Sequence, residues 1–155
     1  PRRVIVLGDL FHAATGCTEA VFDEWRRCRR RVAGEVVLVP GNHDRRLRLP
    51  PDLGLEVADG VMIEDDLSFH HEPPDDACGR NAFCGHVHPR LSIRAPGGDR
   101  CTDRCFVERR GVLTLPAFAT FAGASVVRPE PGTRLWAAGD GAVVEVTRMA
   151  ILATR

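Results

Sequence analysis

The stretch EVVLVPGNHD, residues 35–44, carries the clearest signal for both the fold class and the chemistry of this chain. Its apolar, mostly β-branched run Val36–Val39 is typical of a strand that is buried on both faces. A turn follows at once and brings Asn42, His43 and Asp44, three side chains that bind metals or transfer protons. The stretch therefore predicts a buried parallel strand that ends at a functional turn.

The residues before this stretch complete a β-α-β unit. The run VIVLGD, residues 4–9, predicts a second buried strand that ends at Gly8 and Asp9. Between the two strands, apolar residues recur at helical spacing from Thr18 to Val32, which predicts an amphipathic helix. After residue 54, short strand-like runs alternate with turns. We expect one α/β domain over residues 1–155, with β-sheets flanked by helices.

Composition excludes several classes of protein. The 155 residues are 44% hydrophobic, and 21 basic side chains, all of them arginine, balance 21 acidic ones. The balanced charge excludes a protein that binds polyanions unselectively over its whole surface, so any contact with nucleic acid must be made by a local patch of the surface. Without a membrane-length apolar run or a signal segment, and with six sparse cysteines, we expect a soluble cytoplasmic protein with free thiols and no membrane partner. Aromatic residues are few, so no stacking platform for single-stranded nucleic acid is evident. Phe118 and Phe121 are expected by default to pack in the core, and the alternative is that they line the site.

Four short stretches place metal-ligand side chains directly after apolar runs. They are Gly8-Asp9, Gly41-Asn42-His43-Asp44, His70-His71 and Gly85-His86-Val87-His88. The carboxyl ends of strands in an open α/β sheet meet at one place, so these stretches can converge on a common site. A carboxylate, an amide oxygen and several imidazoles suit Mn, Fe or Zn better than Ca or Mg. Two such ions sharing a carboxylate would activate water against a phosphoryl group.

These motifs resemble the calcineurin-like metallophosphoesterase family, whose ordered signatures are Asp-x-His, Gly-Asp, Gly-Asn-His-Asp or Glu, a lone His, and Gly-His-x-His. Four of the five stand here in that order, between Gly8 and His88. Within the family, the chain is most similar to the bacterial ligase-associated phosphoesterases of DNA repair. The strings that carry this likeness are VLGDLFHA (6–13), GNHDRR (41–46), HEP (71–73), GHVHP (85–89) and LPAF (115–118).

The resemblance implies a role for each matching residue. Asp9 would bridge two divalent ions, and His88 would reach the second ion. The expected metal is Mn, with Fe and Zn as the alternatives. The other ligands of the first ion would be Asn42, His71 and His86. His71 is preferred to His70 because it begins the His-Glu-Pro string.

The resemblance also implies a hydrolytic enzyme. His43 would face the substrate, stabilise the charge on phosphorus and protonate the departing oxygen, while Asp44 would orient the ring of His43. A metal-activated hydroxide would attack phosphorus, and the substrate would be a phosphodiester in DNA or a nucleotide-like molecule. A DNA-repair ligase or helicase is the implied partner. The alternatives are a small-molecule phosphatase or pyrophosphatase, and a non-catalytic protein that binds a single metal ion.

One signature of the family is missing from the sequence. No Asp-x-His occurs anywhere in it, although the family places this motif at the end of its first strand and uses it for the second ion. We expect that the chain is the C-terminal part of a longer, N-terminally truncated protein, and that two metal sites form only in the complete chain. A degenerate relative that binds one ion is the alternative.

Two further features allow two interpretations each. His12 lies three residues after Asp9, where it either touches the substrate or a residue that supports the ligands, or is an ordinary loop histidine. The arginine-rich run 26–31 either complements the dipole of the helix end, which we favour, or faces DNA.

Overall fold

The computed structural model describes residues 2–94, 98, 100–120, 122–139 and 141–153. Within these residues it contains twelve strands and two α-helices in a mixed α/β arrangement. Their bounds are β1 Arg3–Val6, α1 Glu19–Arg29, β2 Glu35–Leu38, β3 Glu56–Val57, β4 Met62–Glu64, β5 Leu67–His70, β6 Asn81–Cys84, β7 Pro89–Arg94, β8 Arg100–Arg109, β9 Val112–Thr114, β10 Ser125–Val126, β11 Arg134–Gly139, β12 Ala142–Glu145 and α2 Thr147–Ala153.

The N-terminal part forms a small parallel sheet in the order β1-β2-β3. Its middle strand is the most deeply buried, because three of its four residues are buried. Helix α1 connects β1 to β2, as the apolar spacing predicts, although it ends at Arg29 rather than at Val32. Phe22 of this helix packs edge-on against Phe11, with ring centroids 5.4 Å apart. The predicted β-α-β unit is therefore confirmed.

The remaining strands form a larger mixed sheet around the long strand β8. One edge of β8 pairs with β7 and then with β9, and the other edge pairs with β11. Beyond β9 the order continues as β6-β5-β4, and β5, β6 and β9 run parallel. Helix α2 covers β7 and β11, where Leu91, Cys105 and Leu135 form a core with Val146 and Ala150. Neither helix in the described part of the chain has the length and apolar character needed to span a bilayer.

The two sheets meet where their parallel strands end. The carbonyl of Leu7, just after β1, lies 2.9 Å from Nδ1 of His71, which follows β5. The backbone N–H of Gly85, which follows β6, donates to the carbonyl of His71 at 3.0 Å. The ends of β1, β2, β5 and β6 are thus brought to one place, as expected for strand ends in an α/β fold.

Candidate metal centre

Two glycine-containing turns form the floor of the site. Gly8 has φ +85°, a left-handed conformation that glycine adopts without steric cost. A Cβ atom on Gly8 would collide with the ring of His71, and a Cβ atom on Gly41 would collide with the carboxylate of Asp9. Glycine is therefore required at both positions for the side chains of Asp9 and His71 to approach each other.

His71 is the most buried residue of the site, and its ring is held in one orientation. Its side chain is 2% exposed. Nδ1 lies 2.9 Å from the carbonyl of Leu7. A carbonyl only accepts hydrogen bonds, so Nδ1 carries the proton and donates it. In the neutral ring, Nε2 then presents its lone pair to the site, which is the state that a metal-binding histidine needs.

Three further ligand atoms surround that lone pair. Oδ1 of Asn42 lies 2.9 Å from His71 Nε2, Nδ1 of His86 lies 3.0 Å away, and Oδ2 of Asp9 lies 3.7 Å away. The ligand atoms of Asp9, His71 and His86 all lie within 4.8 Å of one another. With the proton on Nδ1, Nε2 of the neutral His71 ring is an acceptor, and its neighbours Asn42 Oδ1 and Asp9 Oδ2 are acceptors as well. A divalent cation satisfies all four atoms at once, so these residues fit a metal.

The donor set is mixed, with one carboxylate, one amide oxygen and two imidazoles. Such a set suits first-row transition metals and zinc better than calcium, which prefers oxygen ligands throughout. The structure thus brings together Asp9, Asn42, His71 and His86, four residues that the sequence predicts to share one ion. His70 lies outside this group because its Nε2 contacts Oγ of Ser68 at 3.0 Å, and burial lowers the pKa of His70.

His43 and His12 lie at the solvent side of Asp9. The backbone N–H of His43 donates to Oδ1 of Asp9 at 3.1 Å, and Nε2 of its ring lies 4.0 Å from Oδ2. The rings of His12 and His43 lie against each other, with centroids 4.3 Å apart and an interplanar angle of 31°. The His43 side chain is 38% exposed, so a substrate can reach it. The ligand atoms of Asp9, His12 and His43 form a second group within 4.8 Å of one another.

Asp44 has different contacts from those expected. The resemblance assigns it to the ring of His43, but its buried carboxylate accepts three backbone hydrogen bonds instead. Oδ2 accepts from Asp9 at 2.6 Å and from Gly41 at 3.0 Å, and Oδ1 accepts from Phe11 at 3.1 Å. Asp44 therefore fixes the two turns that carry the ligands relative to each other. Asp44 is the first residue of a short 3₁₀ turn, and its carboxylate meets backbone N–H groups rather than the imidazole of His43.

His88 is oriented but lies apart from the other ligands. Its Nδ1 donates to the carbonyl of Gly123 at 3.1 Å, which leaves Nε2 free. Among the described residues, His88 belongs to neither group of potential metal ligands. Asp9, His86 and His88 have φ values of 53°, 64° and 50°, a left-handed conformation that is uncommon outside glycine. Such strained backbone is concentrated at functional sites because the surrounding structure must hold it in place.

Several determinants of the site leave no mark in the sequence. The carbonyls of Leu7 and Gly123 orient two histidines, but a carbonyl is present in every residue and gives no signal.

The arginine-rich run at the end of α1 has a structural role, since Arg26 pairs with Glu19, Asp23 and Asp52. These ion pairs do not distinguish the two interpretations of the run, so its role at the helix dipole stays a prediction.

No family model and no curated protein matches the chain. Among solved structures, the chain is similar to the nuclease MPE of Pseudomonas putida, with 32% sequence identity and a TM-score of 0.75. The similarity covers 93% of this chain and 71% of the nuclease. It supports a phosphoesterase or nuclease fold and a hydrolase that acts on phosphodiester bonds.

Proposed function

Because this chain belongs to the family of the Pseudomonas putida nuclease MPE, we propose that it is a calcineurin-like metallophosphoesterase that cleaves phosphodiesters in nucleic acid. We propose DNA as the substrate and Mn²⁺ as the native metal, by the resemblance to the ligase-associated group. A role in DNA repair, beside a ligase or helicase, belongs to the same proposal.

One observation carries the proposal. The lone pair of His71 Nε2 faces an amide oxygen, an imidazole nitrogen and a carboxylate oxygen, each within 3.7 Å. This convergence of unlike ligands, at the ends of strands from two sheets, supports a transition-metal site. A divalent ion bound there would polarise a phosphoryl oxygen and lower the pKa of water.

The proposed ligands of this ion are Asp9, Asn42, His71 and His86. Leu7 and Asp44 act on these ligands and not on substrate: the carbonyl of Leu7 fixes the tautomer of His71, and the Asp44 carboxylate fixes the backbone at Asp9 and Gly41. We propose that His88 joins a second ion, because its free Nε2 is oriented by the carbonyl of Gly123.

His43 is the proposed general acid. Its ring is more exposed than that of His71 and lies 4.0 Å from the carboxylate of Asp9, so a phosphodiester that reaches the ligands also meets His43. A sugar oxygen is a poor leaving group unless it receives a proton, which a positioned imidazolium supplies. The ring of His12 supports His43 by packing against it at 4.3 Å.

The leaving group provides the sharpest test. Hydrolysis of DNA and of bis-p-nitrophenyl phosphate is measured with Mn²⁺ and with a chelator. The wild-type protein is expected to hydrolyse both substrates with Mn²⁺ only. His43→Ala should lose DNA cleavage by about 10²–10⁴-fold, yet retain hydrolysis of bis-p-nitrophenyl phosphate, because nitrophenolate leaves without a proton. His70→Gln is the matched control, since His70 is a neighbouring histidine outside the ligand group.

Other results would select a different function. Hydrolysis of nucleotides without cleavage of DNA would indicate a small-molecule phosphatase. Metal binding with no hydrolysis of either diester would indicate a non-catalytic metal-binding protein. An equal loss of both activities in His43→Ala would contradict the proposed acid role.

A further inference from the structure

We propose that Phe118 and an adjacent sheet surface bind the polynucleotide strand outside the metal centre. The surface, here called the arginine strip, consists of Arg90, Ser92, Thr102 and Arg104. Phe118 would stack on an unpaired base, and the strip would contact phosphates of the same strand. This inference rests on the proposed function, because it supplies the part of the substrate site that holds the strand.

Phe118 is fully exposed, with a relative accessibility of 103%. The sequence favours the core as the default place for Phe118, with the site as the alternative, and the exposure of the ring excludes the core. Phe121 lies outside the described residues. Burial of a phenylalanine ring stabilises a protein by about 1.5–3 kcal/mol, so a ring left entirely in solvent contributes nothing to the core. The flat face of a phenylalanine is a stacking surface for any nucleobase. The exposed ring of Phe118 therefore has both faces available for stacking on a base.

The segment that carries Phe118 is attached to the metal-binding strand ends. The N–H of Leu115 donates to the carbonyl of Cys84 at 2.8 Å, directly before Gly85 and His86. On the other side of Phe118, the carbonyl of Gly123 accepts from the ring of His88 at 3.1 Å. The N–H of Ser125 also donates to the carbonyl of His88, at 3.2 Å. Phe118 thus belongs to a segment that is joined to the candidate metal site at both ends.

Arg104 holds the backbone of Phe118 against the sheet. Its guanidinium donates from Nη1 to the carbonyl of Phe118 at 3.2 Å and from Nη2 to the carbonyl of Ala119 at 3.1 Å. Two bonds from a rigid planar group fix this part of the segment before any ligand binds. A platform fixed in advance loses less conformational entropy on binding than a mobile one.

The arginine strip has the charge and hydrogen-bond donors that a phosphate chain needs. Arg90 stands directly opposite Arg104 in the β7–β8 register, and like charges in this position destabilise a sheet. Two residues further along each strand, Ser92 pairs with Thr102 on the same face of the sheet as the two arginines, and their hydroxyls lie 3.4 Å apart. Over the described ranges, neither Arg90 nor Arg104 forms an ion pair with a carboxylate.

Arg90 and Arg104 differ from Arg26 of α1 in that no carboxylate among the described residues neutralises their charge. Arg26 is neutralised by three carboxylates, so it offers little net charge to a ligand. Arg104 contacts two neutral carbonyls and keeps its full charge. Two cations and two hydroxyls on one face of the β7–β8 pair, with an exposed ring on the segment that Arg104 holds, provide groups for both the phosphates and the bases of an unpaired strand.

The test measures binding separately from hydrolysis. A fluorescein-labelled oligothymidylate is titrated with the protein in the presence of a chelator, and Kd is read from fluorescence anisotropy. Phe118→Ala is expected to weaken binding about 5- to 100-fold, while Phe118→Trp keeps or improves it. Arg90→Gln should lower the slope of log Kd against log salt by about 0.7, the value for one phosphate contact on a single strand. Val143→Ala, another exposed apolar residue, is the control and should change nothing.

Each outcome decides the inference. Unchanged affinity in Phe118→Ala, or no binding of oligothymidylate by the wild-type protein, would overturn it. A change in oligomeric state of Phe118→Ala in sedimentation, with unchanged affinity, would assign the ring to a protein interface instead. Loss of affinity in Phe118→Ala but not in Val143→Ala would support the inference even if the wild-type protein hydrolyses no phosphodiester, which would refute only the proposed function.

Discussion

Replacing Asp44 by asparagine should loosen both turns of the metal centre without changing the shape of the side chain. Asp44 is 4% exposed, and its carboxylate accepts backbone hydrogen bonds from Asp9, Gly41 and Phe11. The amide of asparagine has one oxygen, so it can serve the two donors at Oδ2 or the single donor at Oδ1, but not all three. The best orientation leaves the Phe11 N–H facing an amide nitrogen.

The cost can be estimated from these contacts. A buried donor without an acceptor costs about 1–3 kcal/mol, and each bond that changes from a charged to a neutral acceptor loses about 1 kcal/mol. The lower desolvation penalty of an amide offsets part of this loss. The expected decrease in the free energy of unfolding is about 2–4 kcal/mol. With a urea m-value of about 2 kcal/mol per molar, the unfolding midpoint falls by roughly 1–2 M.

Trp25 offers a local probe for this measurement, because its ring packs against Phe11 with centroids 6.0 Å apart. Urea unfolding of Asp44→Asn is followed by tryptophan fluorescence and compared with Asp52→Asn, whose exposed carboxylate pairs with Arg26. The control should unfold near the wild-type midpoint, since an exposed ion pair contributes little. An unchanged midpoint in Asp44→Asn would refute the view that this carboxylate holds the turns together.

Three further predictions concern the site and the core. Gly41→Ala should abolish the rise in Tm that Mn²⁺ gives the wild-type protein, because its Cβ collides with Asp9; a preserved rise in a scanning fluorimetry experiment would contradict this. His71→Gln should also lose the rise, which corresponds to about 2.7 kcal/mol at a metal concentration of 100 Kd. Cys105 is fully buried, and burial raises its pKa to about 11, so at pH 8 it should resist alkylation by iodoacetamide in the native protein while the exposed Cys28 reacts. Peptide mass spectrometry measures both cysteines, and equal labelling would show that Cys105 is accessible.

The sequence is informative where a pattern has only one physical solution. A run such as Val36–Val39 can only be buried, and α1 follows from its apolar spacing. Strand β11 and helix α2 are not predicted, because one is a short run with weak alternation and the other is two turns long. Their structure depends on tertiary packing of Leu135 and Ala150, which local patterns do not contain.

The features of the candidate site also divide into those that the sequence predicts and those that it does not. Residues with distinctive side chains, such as Asn42 and His71, are found from the strand ends that carry them. The contacts of Asp44 are not, because its partners are backbone N–H groups that any residue could supply. Phe118 shows the opposite error, since an apolar residue is assigned to the core by default although this one lies in solvent.

The central claim is that Asp9, Asn42, His71 and His86 bind one divalent ion. Crystals of the protein soaked in Mn²⁺, with diffraction recorded at the manganese absorption edge, test it directly. The account predicts an anomalous peak within about 2.0–2.3 Å of Asp9 Oδ2, Asn42 Oδ1, His71 Nε2 and His86 Nδ1. A structure at saturating Mn²⁺ with these four side chains in place and no anomalous peak among them would contradict the account.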